Sequence, residues 1–139
     1  MELVNCSKKY WNFVRILRTD KRIIRNFVDQ STISEMQQVT FMNSNSEFFK
    51  ICLIDDSPVG YIGLIGERKN EITLCVIPEK SNLGIGSYML SRVQKLNNKH
   101  LIAKVKKDNI SSSKVFLKNG FKEYKKDKIF IHYIYENDQ

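Results

Sequence analysis

Two glycines, Gly84 and Gly86, stand in the segment VIPEKSNLGIGSYML, where a strand-like apolar run gives way to a helical period. Without Cβ atoms the backbone N–H groups there can approach a phosphate closely, and the start of a helix adds roughly half a positive charge. Leu83, Gly84, Ile85, Gly86 and Ser87, with the loop that leads in from Ser81, therefore form a candidate anion cradle. The same Gly-x-Gly spacing also makes an ordinary tight turn. It is not a Walker loop, because no Lys-Ser/Thr pair follows, and Ser87 to Leu90 lack the third glycine of a dinucleotide fingerprint. Further along, DNISSSKVFLKNGF carries Asn109, a polar helix start, Phe116 and the pair Gly120-Phe121. His132 is a weaker candidate for acid–base chemistry, since a lone histidine on a strand equally serves packing. Cys6, Cys52 and Cys75 are odd in number and far apart, so neither a disulfide framework nor a metal site is expected. Cys75 would need an activating base to act as a nucleophile, and no such partner is visible nearby.

The elements that must position these residues follow from the apolar period. Val14 to Leu17 reads as the first strand. Asp20 can cap a helix carrying Ile23, Ile24, Phe27 and Val28, and Ser34 a second with Met36, Val39 and Phe41. Phe48 to Ile54 and Val59 to Ile65 read as a hairpin reversed at Asp55 to Pro58, and Glu71 to Ile77 as the next strand. A helix runs from about Gly84 toward Asn97, with Ile85, Tyr88, Met89 and Val93 on one face. Leu101 to Val105 is a strand, Ser111 to Lys118 a helix ended by Asn119-Gly120, and Phe121 to Tyr124 with Ile129 to Tyr135 a final antiparallel pair. The expected fold class is α/β (α+β), a mixed but mostly antiparallel sheet of six to seven strands flanked by about four helices. Neither a repeat nor a linker interrupts the pattern, so residues 1–139 are expected to form one domain. The apolar strand Ile129 to Tyr135 reads as an exposed edge, to be covered by a second copy or by the N-terminal helices.

The formal charge of +8, from 23 Lys+Arg against 15 Asp+Glu, favours an anionic partner or a solvated lysine-rich surface. The basic residues are spread without a block of five, and no aromatic string interleaves with them, which argues against a nucleic-acid module. No apolar run reaches the roughly 18 to 20 residues that span a bilayer, and MELVNCSKKYW lacks the order of a signal peptide. A soluble, cytoplasmic protein with reduced thiols and no membrane insertion is expected.

The glycine loop and the later segment occur in order and on the expected elements. The pair V-x-P-x(4,5)-G-x-G and N-x(2,3)-S-x(2,3)-F-x(3)-G-F resembles the Gcn5-related N-acetyltransferase (GNAT) family over nearly the whole chain. The resemblance implies a transferase that binds acetyl-CoA. Leu74, Cys75 and Val76 would offer strand backbone to the pantetheine arm. Leu83 to Ser87 would hold the pyrophosphate, Asn109 would face the pantetheine, and Phe116 and Phe121 would pack around cofactor and core. Two positions depart from the family. Ser81 stands where Gln or Arg is common, with Lys80 or Arg92 as possible substitutes, and Phe116 stands where a tyrosine general acid is frequent.

For such a reaction a neutral amine attacks the thioester directly. A backbone N–H of Leu74 to Val76 stabilises the oxyanion, and Glu71, at the start of the strand, is the first candidate base, ahead of His132. The N-terminal third, with Trp11, Arg18-x-Asp20 and the helix near Ile33 to Phe41, resembles GNAT enzymes that acetylate nucleotide-linked amino sugars. The same layout also occurs in those acting on ribosomal protein N-termini. Arg15, Arg18 and Arg22 could meet a nucleotide diphosphate, or Arg18 and Asp20 could simply pair and cap. A protein N-terminal or lysine acetyltransferase, and a non-catalytic acyl-CoA-binding module, are the alternatives carried forward.

Overall fold

A computed structural model describes residues 1–27 and 31–137. The chain runs β1 (Glu2–Asn5), α1 (Trp11–Arg18), α2 (Lys21–Ile24), α3 (Glu35–Asn45), β2 (Phe49–Ile54), β3 (Ser57–Ile65), β4 (Glu71–Val76), α4 (Ile85–Leu96), β5 (Leu101–Lys106), α5 (Ile110–Lys118), β6 (Lys122–Lys126) and β7 (Phe130–Tyr135). The seven strands form one sheet in the order β1-β2-β3-β4-β5-β7-β6, antiparallel throughout except for the parallel pair β4–β5. The mixed, mostly antiparallel sheet with flanking helices is the architecture expected from the apolar period.

Side-chain alternation along the strands divides the core into two layers. On one face Val14 and Leu17 of α1 and Met42 of α3 pack with Phe49, Ile51, Tyr61 and Cys75. On the other, Ile85, Met89, Leu90 and Val93 of α4 and Phe116 of α5 pack with Ile62, Ile72, Leu101, Ala103 and Val105. Each of the four buried apolar side chains of α4 contributes roughly 1.5–3 kcal/mol to holding that helix on the sheet.

Three local features differ from the sequence expectation. Val14 to Leu17 belongs to a helix, not to the first strand. Trp11, Val14 and Leu17 recur at three-residue spacing, Val14 and Leu17 are buried, and the Trp11 indole N–H donates to the Cys6 carbonyl at 3.2 Å. The first strand is instead the short Glu2–Asn5, which pairs with β2. The helix capped by Asp20 is a single turn ending at Ile24, and Val28 lies outside the described residues. Helix α3 has the Ser34 capping box, yet it buries Gln38 and Met42 while Met36 is 79% exposed. Gln38 can sit inside because its Nε2 donates to the Trp11 carbonyl at 2.9 Å.

The apolar strand Ile129 to Tyr135 is not an edge. β7 lies between β5 and β6, and the edge is β6, whose five residues, KEYKK, are all exposed. A lysine-rich edge resists pairing with another chain, so the strand offered for dimerisation is already paired on both sides. No helix among the described residues is long and apolar enough to cross a membrane.

Candidate active site

β4 and β5 pair at Glu71↔Ile102 alone, with the Ile102 N–H donating to the Asn70 carbonyl at 2.9 Å. Their other neighbours are paired along the full strands, Ile65↔Glu71 to Gly60↔Val76 on one side and Leu101↔Tyr135 to Lys106↔Phe130 on the other. Beyond Glu71 the two parallel strands therefore part, and a cavity of about 1100 Å³ fills the opening. The Ile77 N–H donates to the Val59 carbonyl at 2.9 Å, which fixes the phase of the β3–β4 ladder. Alternation then directs the backbone groups of Thr73 and Cys75 to β3 and those of Leu74 and Val76 to the opening.

Above the opening stands the start of α4. Gly84 is its N-cap, at φ 80° and without a side-chain cap, and an added Cβ would meet nothing within 4 Å. The first intrahelical bond runs from the Tyr88 N–H to the Gly84 carbonyl at 3.0 Å, so the amides of Ile85, Gly86 and Ser87 have no carbonyl of their own helix. A Cβ on Gly86 would touch Leu74 and Val115 at 3.7 Å, the side chains that close the floor between β4 and α5. Asn109 caps α5, its Oδ1 accepting from the Ser112 N–H at 3.4 Å, and it faces the same cavity. Phe116 is 4% exposed and lies in the wall with its ring edge-on to Phe121 at 5.0 Å and stacked with Tyr133 at 6.1 Å. No hydroxyl stands at that position.

The opening connects the two faces of the sheet. Leu74 and Val76 pack with α4 and α5, whereas Cys75 packs with α1, and the period of two puts Glu71 and Thr73 on the face of Cys75. Arg18 lies on that face, its guanidinium carbon 3.7 Å from the centre of the Phe27 ring. Arg22 is paired with Asp20 at 2.9 Å and Glu79 at 3.1 Å, and its hydrogen bonds hold Asp20 down to about 2. The expected Arg18–Asp20 pair is thus replaced by Arg22–Asp20, because the Asp20 carboxylate also caps the Arg22 amide at 2.8 Å. The Lys106 ammonium is bonded to the Arg25 carbonyl, so the segment from Lys21 to Phe27 is tied to both lips of the opening. Burial pushes the Cys75 thiol up to about 12, against a hydrogen bond to the Tyr61 hydroxyl at 3.3 Å.

Of the residues expected from the sequence, Glu71, Leu74, Cys75, Val76, Gly84, Ile85, Gly86, Ser87, Asn109 and Phe116 all line this one cavity, as do Ser81, Lys80, Arg18 and Arg22. Leu83 and His132 do not. Leu83 is 60% exposed, and the His132 ring bonds the Asp127 carboxylate at 2.9 Å on β7. That bond and the amides of Phe130 and Ile129 hold the Asp127 carboxyl well below the usual carboxylate range. Arg15 also turns elsewhere, to Asn12, the Ile33 carbonyl and Glu35. Phe27, expected only as an apolar helix residue, and Arg25 also line the cavity, and so do Thr73 and Lys104, which escaped the sequence analysis. Their signal was parity: Thr73 alternates in phase with Glu71 and Cys75, and Lys104 is the polar residue facing away from Ala103 and Val105.

A family model described as an acetyltransferase (GNAT) domain matches residues 19–133. No curated protein matches the sequence. Among solved structures the fold is similar to that of a GNAT-family acetyltransferase from Bacillus anthracis, at 17% identity and a TM-score of 0.80, covering 99% of this chain and 95% of that one. RimL, a ribosomal L7/L12 alpha-N-protein acetyltransferase in complex with coenzyme A, is similar at 13% identity and a TM-score of 0.81, covering 98% and 93%. The spermidine N-acetyltransferase of Vibrio cholerae, in complex with CoA and spermine, is similar at 12% identity and a TM-score of 0.81, covering 98% and 95%. At such identities the likeness is one of fold.

Proposed function

The chain belongs to the GNAT family of acetyltransferases and is an acyltransferase, and we propose that it carries an acetyl group from acetyl-CoA to a primary amine by direct attack in the β4–β5 opening. The observation that carries this reading is a single cavity that joins an uncapped helix start on one face of the sheet to a carboxylate, Glu71, on the other. Its volume of about 1100 Å³ suits an extended cofactor arm together with a second substrate.

The residues present fit acetyl-CoA. The amides of Ile85 to Ser87 would hold the pyrophosphate, aided by the helix dipole. Lys80, on the lip of the cavity, can supply the cation that Ser81 does not. The backbone groups of Leu74 and Val76 would pair with the amides of the pantetheine arm as an added strand does, with Asn109 facing it from α5. Acetyl-CoA supplies the acyl group as a thioester, whose thiol titrates near about 8.5 and so departs as thiolate without an acid. Phe116 has no proton to give, and the absent acid costs at most roughly 10² to 10⁴ in rate.

Glu71 takes a proton from the incoming ammonium, directly or through water, because only the neutral amine has a lone pair. The amine nitrogen then bonds to the acyl carbon, the carbon–sulfur bond breaks to release the thiolate, and the second proton of the nitrogen passes to that thiolate or to water. The N–H of Leu74 or Val76 donates to the carbonyl oxygen while negative charge develops on it. The narrower reading, an amine on a nucleotide-linked sugar, rests on the resemblance of the N-terminal third and on Arg18 lining the cavity, Arg22 being held by Asp20 and Glu79.

Thiol release tests the scheme. Glu71→Gln is expected to lower kcat/KM by roughly 10²- to 10⁴-fold and to change the pH–rate profile, with acetyl-CoA affinity unchanged. An unaltered profile would move the base elsewhere.

A further inference from the structure

We infer that Asn119, at the end of α5, is a positioning residue for the cosubstrate: its side-chain amide aims the Ser87 hydroxyl at the anion held by the start of α4. This rests on the transferase reading above. It gives a second duty to a residue that the chain also uses to stop a helix, for Asn119 is the C-cap of α5 and Gly120 follows it at φ 87°.

Hydrogen bonds tie this residue to both helices of the cofactor side. Its Nδ2 donates to the Val115 carbonyl at 2.8 Å and to the Ser87 Oγ at 3.2 Å, while its own carbonyl accepts from the Gln94 Nε2 at 2.6 Å. The bond to Val115 fixes the sense of the bond to Ser87. A carbonyl can only accept, so the amide nitrogen and not the amide oxygen must face Val115, and both protons of that nitrogen are then assigned. Ser87 is therefore the acceptor in its pair with Asn119, and its single proton is left for another partner. Among the described residues no other group bonds that hydroxyl, and Ser87 lines the cavity. In the first turn of α4, Ser87 also has an amide without a carbonyl of its own helix, so one residue presents two donors to the same anion. A hydroxyl that accepts one hydrogen bond is polarised to donate the next more strongly. Val115, whose carbonyl orients the amide, is also the side chain beside Gly86, with methyls 3.7 and 3.8 Å from where a Cβ would stand. The last turns of α5 thus set the floor of the cradle and one of its donors. Gln94 bonds the backbone of Asn119 and leaves the Ser87 bond to the side chain.

Calorimetric titration of acetyl-CoA tests the coupling, with circular dichroism and the melting temperature reporting on the fold. Ser87→Ala should raise Kd by roughly 10- to 100-fold, the range for one hydrogen bond to a charged group, and Asn119→Ala by roughly 3- to 30-fold. Asn119→Gly, a residue at home at a helix end, should repeat the Asn119→Ala result. The double variant Ser87→Ala with Asn119→Ala should bind no more than about twofold worse than Ser87→Ala alone, because Asn119 acts on the cosubstrate through that hydroxyl. Gln94→Ala, which removes a bond to Asn119 and keeps the one to Ser87, should lower Tm yet leave Kd within about threefold. In phosphorus NMR of the bound cosubstrate, the diphosphate resonances should move in both Ser87→Ala and Asn119→Ala while the ribose phosphate stays in place. Additive losses in the double variant, an equal loss in Gln94→Ala, or a Kd unmoved by Ser87→Ala or by both Asn119 variants would overturn the inference. Failure of the unaltered protein to bind acetyl-CoA would overturn the transferase reading beneath it, and the inference with it.

Discussion

Cys75 lies in the wall of the cavity at the level where the thioester would react, and its burial decides what it can do. With the thiol raised to about 12, its thiolate fraction at neutral pH is roughly a thousandfold below that of an ordinary cysteine. Transfer should therefore be direct, and Cys75→Ala should keep kcat/KM within about fivefold. A loss beyond about a hundredfold, with a native melting temperature, would point to an acyl-enzyme. Phe116 is likewise settled by its surroundings: packed between Phe121 and Tyr133, it is core as well as wall. Residue types and spacing made most of these positions legible in the sequence, because glycines at a strand-to-helix junction and an asparagine at a helix start have local physical reasons. Lys104 and Thr73 were not legible, since their importance comes from which face of a diverging strand they occupy.

At the scale of elements, local chemistry predicted what it controls and missed what packing controls. The Ser34 side chain accepts from the Gln37 amide at 3.1 Å, and Gln37 returns the bond to the Ser34 amide at 2.8 Å. Ser34→Ala should cost about 1 kcal/mol, read as a lower melting temperature with little change in kcat. Asp55 and Asp56, at φ 50° and 63°, close the β2–β3 hairpin where the DDSP turn was expected, aspartate being among the residues that accept this conformation. The failure at Val14 to Leu17 has a different cause. Four residues cannot distinguish a strand from a helix by period, and the competing strand, Glu2–Asn5, exists because β2 offers it an edge. Met36 reads as core from its type, but α3 meets α1 through Gln38, a contact that only the tertiary fold creates.

Across the whole molecule, the sheet is paired on both sides of the β4–β5 opening. Strands β1 to β4 and β5 to β7 are each paired throughout, with register shifts only at Cys52/Leu53 and Glu123/Lys125, and the parallel pair between them opens beyond Glu71. That divergence frees strand backbone, admits a cavity and connects the start of α4 with the opposite face of the sheet. The net charge of +8 suits an anionic cosubstrate, and among the described residues Arg18, Arg22, Arg25, Lys80 and Lys104 line the cavity. The account stands on acetyl-CoA occupying the start of α4, and calorimetric titration of acetyl-CoA into the unaltered protein and into Gly86→Trp tests it most directly. A methyl group fits at Gly86 against Leu74 and Val115, whereas an indole overfills the cradle. Binding by the unaltered protein with a loss of at least tenfold in the variant, at a retained fold by circular dichroism, is the predicted result. No binding by the unaltered protein, or equal binding by both, would contradict it.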